Sequence, residues 1–181
     1  MTITETNLNG CFIIEPTIFH DKRGYFYESF NKRQFEKILG HTINFIQDNQ
    51  SLSTKGVLRG LHYQKGEHAQ AKLVSVISGE VLDVIVDLRP TSSTFGKHVS
   101  ELLSAENKKQ MFIPRGFAHG FVVLSDIAIF SYKCDNYYHK ASEAGIIYND
   151  AVLNIDWELP TDQLIISQKD KELPSFKEAK L

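Results

Sequence analysis

From Phe12 to Cys134 the chain is written in short bursts. "FIIEPTIF", "NFIQDNQSLS", "KHVSELLS", "QMFIP", "HGFVVLS" and "AIFSYK" follow one another at short spacing, set off by turn formers. Runs of this length, bounded by Gly, Pro, Asn, Asp or Ser, read as strands, and many of them in series read as an antiparallel sandwich or barrel. "FIIEPTIF" is expected to open the sheet. "AKLVSVISGEVLDVIVDLRP" reads as a hairpin with Ser78, Gly79 and Glu80 at its turn. Only "NKRQFEKILG" has clear helical character, with Asn31 as cap, Phe35, Ile38 and Leu39 as apolar stripe, and Gly40 as stop. The tail beyond Trp157 reads as loop with short helical turns. An all-β double-sheet fold with minor helix is expected; strand counting leaves a jelly roll and an immunoglobulin-like sandwich both open.

A chain of 181 residues with no repeat, low-complexity tract or linker suits one domain, residues 1–181. Its net charge of −2 gives no general pull towards nucleic acid or an anionic membrane, so any anion recognition must be local. Cys11 and Cys134 form neither a metal-ligand spacing nor a disulfide framework. "MTITETNLNG" lacks the basic and apolar regions of a signal peptide, and no apolar stretch approaches the ~20 residues that span a bilayer. A cytoplasmic protein is the expectation.

Strand parity then singles out polar residues aimed at an apolar interior. Tyr132 shares a face with Phe130 and Ala128, His119 with Phe117 and Phe121, and Lys72 with Val74 and Val76. Taken singly, an inward His is most often a hydrogen-bonded core residue, an inward Tyr is packing, and a strand-end Lys snorkels. Their convergence from separate strands points instead to a solvated cavity, because unpaired charge in a core is costly. In "GVLRGLHYQ", Arg59 and His62 differ in parity, and an unbroken strand would send them to opposite faces. Gly60 between them predicts a bulge or twist that re-aims one of them. Arg23, in the turn "DKRGYF", is the kind of exposed guanidinium that meets a phosphate, although such a turn is more often simply solvated.

Several chemistries find no support. There is no G-x-S-x-G elbow, P-loop or G-x-G-x-x-G, and neither cysteine lies in a motif. "IPRGFAHGF" has a P-x-G-x-x-H spacing that resembles the second metal motif of cupins. Where a cupin would place its other ligands, this chain has the single histidine of "GLHYQ" and then Lys72, and an ammonium repels a cation. A cupin-shaped pocket without metal is the better reading. What remains is acid–base chemistry: histidine as base, tyrosine as acid and lysine beside an oxyanion, which suits proton abstraction next to a carbonyl.

These blocks, with "DKRGYFYESFN", "FIQDNQSLSTKGVLRGLHYQ", "LSAENKKQMFIPRGFAHGF", "YKCDNYYHKASEAGI" and "ISQKD", cover nearly the whole chain, which resembles the dTDP-4-dehydrorhamnose 3,5-epimerase family. The resemblance implies a cupin-type jelly roll, a double-sheet antiparallel β-barrel. It implies dTDP-4-dehydro-6-deoxy-D-glucose as small-molecule substrate, epimerised at C3 and C5 in dTDP-L-rhamnose biosynthesis, with no metal or organic cofactor. His62 matches the general base, Asp170 the carboxylate that orients it, Tyr132 the acid on the opposite face and Lys72 the cation beside the enolate oxygen. Arg59 and His119 match residues lining the sugar–pyrophosphate site. Gln47 and Asn49 match contacts to nucleotide or sugar, Tyr138 the ring that stacks on thymine, and Glu143 and Lys169 the completion of the pocket. Arg23, Phe26 and Glu28 match a segment that reaches into a partner's nucleotide pocket, so a homodimer is expected. Departures are modest: Arg115 where Glu is common, Cys134 where Thr is frequent, Gln168 in "SQKD", and "DWELP" in place of a Trp-Pro pair. A mono-epimerase acting at C3 or C5, a non-catalytic nucleotide-sugar-binding cupin and a metal-dependent oxygenase are the alternatives.

Overall fold

The short runs do form strands. In the computed structural model, which describes residues 1–179, the chain begins with β1 (Thr2–Glu5) and β2 (Phe12–Glu15), then a small hairpin of β3 (Phe19–Asp21) and β4 (Gly24–Phe26). Helix α1 (Lys32–Leu39) leads into β5 (Gln47–Thr54), β6 (Val57–Gln64), β7 (Lys72–Ser78) and β8 (Glu80–Asp87). β9 (His98–Ser104), β10 (Gln110–Ile113), β11 (Phe117–Val123) and β12 (Ile127–Cys134) follow. Short β13 (Glu143–Gly145), β14 (Ile165–Ile166) and α2 (Gln168–Lys171) complete the series, and brief helical turns lie at Gly66–His68, Lys140–Ser142 and Thr161–Gln163. No helix among the described residues is long and apolar enough to cross a membrane.

Two sheets result. The first has the order β1-β2-β10-β7-β12-β5, and the second β13-β6-β11-β8-β9, with β14 parallel to β6. Within them, β5-β12-β7-β10 faces β6-β11-β8-β9, the eight-strand arrangement of a jelly roll, which settles the choice that strand counting left open. "FIIEPTIF" does not open the sheet; β1 pairs outside β2 and takes the edge. The hairpin expected around Gly79 is also absent: β7 belongs to the first sheet and β8 to the second. One residue is too short for a hairpin loop, so Gly79 is a corner between layers, at φ 78°. A Cβ there would come 2.0 Å from the Ile127 carbonyl oxygen, so only glycine makes this corner.

Burial explains the sequence patterns. Val74, Val76, Val81, Ile85, Met111, Phe121 and Phe130 form the core between the sheets. Leu82, Val84, Val86, Ala118 and Val122 point to the other side of the second sheet, where Ile146, Leu153 and Trp157 of the tail cover them. β8 is thus buried on both faces, and its apolar run is nearly continuous for that reason. Helix α1 covers part of the first sheet's outer face through Phe35, which packs with Ile14, Leu73 and Phe112. Asn31 Oδ1 accepts from the Gln34 amide at 3.2 Å, and Gly40 ends the helix in the left-handed region. Leu39 packs with that cluster, but Ile38 is 41% exposed, so the stripe is narrower than expected.

Candidate active site

The irregularity expected at Gly60 is present and decides where two side chains point. His62 pairs with His119 across β6 and β11, and Arg59 pairs with Phe121. Three steps along β6 therefore match two along β11, a bulge of one residue. Because cross-strand partners share a face, Arg59 and His62 both follow His119 and Phe121 to the cavity side, His62 half-buried and Arg59 exposed. Gly60 sits at φ 130° and is joined to Leu61 by a cis peptide bond. A Cβ on Gly60 would lie 2.5 Å from Gly120 Cα, so the two strands approach here as only glycines allow.

His62 Nε2 lies 2.7 Å from Asp170 Oδ1. Asp170 reaches it from the tail: Ser167 caps the single turn of α2 by accepting from the Asp170 amide at 3.1 Å, and that turn carries the carboxylate back over β6. The Gly60 amide donates to Oδ2 at 3.4 Å. Burial works against the carboxylate's charge, but the His62 contact, with help from Gly60 and Ser167, outweighs it and holds Asp170 below the usual carboxylate range. An ionised Asp170 accepts the Nε2 proton and leaves the lone pair on Nδ1, the tautomer a general base needs.

The first sheet supplies the opposing wall. Tyr132 lies in register with Asn49 and Val74, and Cys134 with Gln47 and Lys72, so all of these share the inward face. The Lys72 ammonium stands 5.8 Å from the Tyr132 ring centre. Burial pushes Lys72 down and Tyr132 up, in each case disfavouring the charged form. Between the walls, Phe121 and Phe130 stack at 4.2 Å, one from each sheet. They floor a cavity of about 560 Å³ lined by Arg59, His62, Lys72, His119, Tyr132 and Asp170. Arg59 Nε donates to Ser53 Oγ at 3.1 Å.

At the rim, Glu143 accepts from Lys169 Nζ at 2.7 Å and from the Tyr138 hydroxyl at 3.0 Å. Burial raises Glu143, but these two partners bring it below its ordinary value. The Tyr138 amide donates to Gln47 Oε1 at 2.9 Å, and Gln47 Nε2 to Asn49 Oδ1 at 3.0 Å, so the rim residues form one connected chain. Arg23, Phe26 and Glu28 are not brought to this cavity. Arg23 is exposed and paired with Asp21 on the β3–β4 hairpin, Phe26 is 67% exposed, and Glu28 accepts from Asn31 and Gln34 beside α1. Among the described residues no three His, Cys, Asp or Glu side chains are grouped as metal ligands would be.

The sequence reading missed Ser51, Ser53 and Ser167 around the cavity, took Phe121 and Phe130 only as inward-facing neighbours, and missed Asp83, whose Oδ2 meets His119 Nε2 at 2.8 Å. Asp83 did carry a signal, a charge in the middle of the apolar run of β8. A second hollow of about 690 Å³ lies by the C-terminal end of α1, and its Arg89 and Arg115 are committed to Asp87 and Asp135.

Known proteins share this architecture. The family model for dTDP-4-dehydrorhamnose 3,5-epimerase matches residues 5–178. The chain is 56% identical to the dTDP-4-dehydrorhamnose 3,5-epimerase of Escherichia coli strain K12, over 96% of this chain and 93% of that one. It superposes on the enzyme of that name from Elizabethkingia anophelis NUHP1 with a TM-score of 0.96 at 58% identity, covering 98% and 97% of the two chains. A dTDP-6-deoxy-D-glucose-3,5-epimerase from Legionella pneumophila Philadelphia 1, solved in complex with dTDP-4-keto-L-rhamnose, gives 0.94 at 52% identity, covering 98% and 93%. With a family match over nearly its full length and a jelly roll that encloses a His–Asp pair opposite Tyr and Lys, this chain belongs to the dTDP-4-dehydrorhamnose 3,5-epimerase family.

Proposed function

We propose that this chain converts dTDP-4-dehydro-6-deoxy-D-glucose to dTDP-4-dehydro-L-rhamnose by inverting C3 and C5. Both carbons lie α to the C4 ketone, so loss of either proton gives an enolate. The observation that carries the reading is the opposition of His62 on one sheet, with Asp170 of α2 against its ring, to Tyr132 and Lys72 on the other.

In this mechanism His62 takes the α-proton, the C–H electron pair becomes part of the new C=C bond, and the carbonyl electrons settle on oxygen. A free imidazole is far too weak a base to do this quickly. A positioned base contributes roughly 10²–10⁴ in rate, and losing one oxyanion partner commonly costs ~10²–10³. Lys72 is the cation at that oxygen. Tyr132 delivers its phenolic proton to the opposite face, the carbonyl re-forms, and the phenolate and imidazolium exchange their protons with solvent. Mass and charge return to their starting values and only the configuration differs. Arg59 and His119 meet the sugar and diphosphate, and Gln47, Asn49, Tyr138, Glu143 and Lys169 hold the nucleoside end.

The same reading makes the protein a homodimer, with Arg23, Phe26 and Glu28 completing the partner's nucleotide pocket. The exposure of Phe19 and Phe26, at 61% and 67%, supports it, since large aromatic rings on a hairpin are rarely left in water without a use. Light scattering that found a fully active monomer would overturn this part.

Incubation with the 4-keto sugar nucleotide in D₂O, followed by NMR, tests the whole. Deuterium is expected at both C3 and C5. Label at one carbon alone would make the protein a mono-epimerase, and none with folded protein would remove the enzymatic reading.

A further inference from the structure

Asp83 is a charged residue the reaction scheme does not use. It stands in the middle of β8 between Val81 and Ile85 and is fully enclosed. A buried carboxylate is costly unless its oxygens are matched. Oδ2 meets His119 Nε2 at 2.8 Å, while Oδ1 has no hydrogen-bond partner among the described residues. Across the cavity floor the Lys72 ammonium, near the Tyr132 ring, likewise makes no hydrogen bond or ion pair with any described residue.

We propose that Asp83 is a positioning residue whose carboxylate fixes the His119 ring through one oxygen and keeps Lys72 a cation with the charge of the other. The proposal rests on Lys72 being the cation beside the enolate oxygen. Lys72 is faced by Asp83 from β8, His119 from β11, Tyr132 and Cys134 from β12, and Glu143 from β13. Burial drives the Lys72 ammonium towards neutrality, so something must hold its proton. Cys134 cannot, because burial pushes its thiol up to about 11 and leaves it uncharged near neutral pH. Burial also favours neutral His119 and neutral Tyr132. Glu143 is engaged by Lys169 and Tyr138 at the rim. Asp170 lines the same cavity, but its oxygens are engaged by His62 and the Gly60 amide. Asp83 is the anion with an uncommitted oxygen, and it lies on the opposite sheet from Lys72.

The test compares wild type, Asp83→Asn and Lys72→Met by the rate of C3 and C5 proton exchange across neutral and alkaline pH. Asn keeps the shape and removes the charge. Asp83→Asn is expected to bring the alkaline limb of kcat down by about one pH unit or more, the usual effect of one nearby charge, with activity recovered on lowering the pH. Tyr132 does not confuse this limb, since its shift is upward. A merely structural role would lower thermal stability and activity and leave the limb in place. A folded Asp83→Asn protein with an unmoved limb, beside an inactive Lys72→Met, overturns the proposal and spares the Lys72 reading. Full exchange in Lys72→Met overturns that reading itself. If Asp83→Asn does not fold, ¹⁵N-lysine NMR of the wild type decides. An ammonium at Lys72 at neutral pH is expected, and a neutral amine there overturns the proposal.

Discussion

Asp170→Asn removes one charge and almost no volume from the group that orients His62. The Asp170 side chain is 6% exposed, and its Oδ1 lies 2.7 Å from His62 Nε2. Two consequences follow for the transition state. First, in the proposed reaction the imidazolium that forms as the α-proton leaves loses its counter-charge. Unit charges about 4 Å apart interact by about 4 kcal/mol at an effective dielectric of about 20. The His62 side chain is 30% exposed, so solvent screening removes roughly half, leaving about 2 kcal/mol. Second, a carboxamide can present its NH₂ to Nε2 and stabilise the wrong tautomer, which puts the proton on the nitrogen that should accept one. Together these place the loss in kcat at ~10²–10³. KM should change little, because the carboxylate oxygens are taken up by His62 and the Gly60 amide. The assay is initial-rate deuterium incorporation at C3 and C5, beside steady-state kinetics and a thermal melt. A folded variant with kcat within about threefold of wild type would show that Asp170 does not govern the base.

Tyr132→Phe should keep solvent exchange and lose inversion, since His62 can return a proton only to the face it came from; NMR showing normal yields of epimer would refute the acid assignment. Gly60→Ala should abolish activity and sharply lower soluble yield, because its Cβ would meet Gly120 Cα at 2.5 Å and His119 O at 2.9 Å. An active Gly60→Ala enzyme would mean that the bulge does not aim Arg59 and His62. Asp87 is buried and accepts from Arg89, Ser92 and Thr94, which overcome the effect of burial and hold it far below the usual carboxylate range. Its folded pKa is depressed, so its contribution is complete above the ordinary carboxylate pKa and is lost as pH falls through the folded value. Asp87→Asn should therefore cost about 3–5 kcal/mol at neutral pH, with the gap from wild type narrowing only in strong acid, as denaturant melts over pH would read.

What was legible in the sequence was whatever has a period of two. Tyr132, His119 and Lys72 were readable as inward-facing because regular strands alternate, and each does lie on the inward face. Arg59 and His62 needed Gly60 to break that rule, and the break is where it was expected. Asp170 had no such handle. It lies in a one-turn helix of the tail, and the contact with His62 spans 108 positions, so only resemblance pointed to it. The supposed hairpin at Gly79 failed because local propensity says that two strands meet and says nothing of which sheet each joins. Asp83 was overlooked for a related reason: in "VLDVIVD" the apolar neighbours dominated the reading, and the partner that accounts for the charge comes from β11.

The stacked Phe121 and Phe130 have a role beyond filling space. One ring belongs to the sheet that carries His62, the proposed base, and the other to the sheet that carries Tyr132, the proposed acid. Their 4.2 Å contact therefore bridges the space between the strands that carry His62 and Tyr132. Among the described residues no backbone hydrogen bond joins Phe121 to Phe130 across that gap, so its width there depends on side-chain volume. Trimming either ring would let the sheets settle closer and shift donor against acceptor, loosening stereochemical fidelity without touching a reacting group. On the proposed mechanism, the balance between inverting a carbon and merely exchanging its proton would then respond to a change in the hydrophobic core.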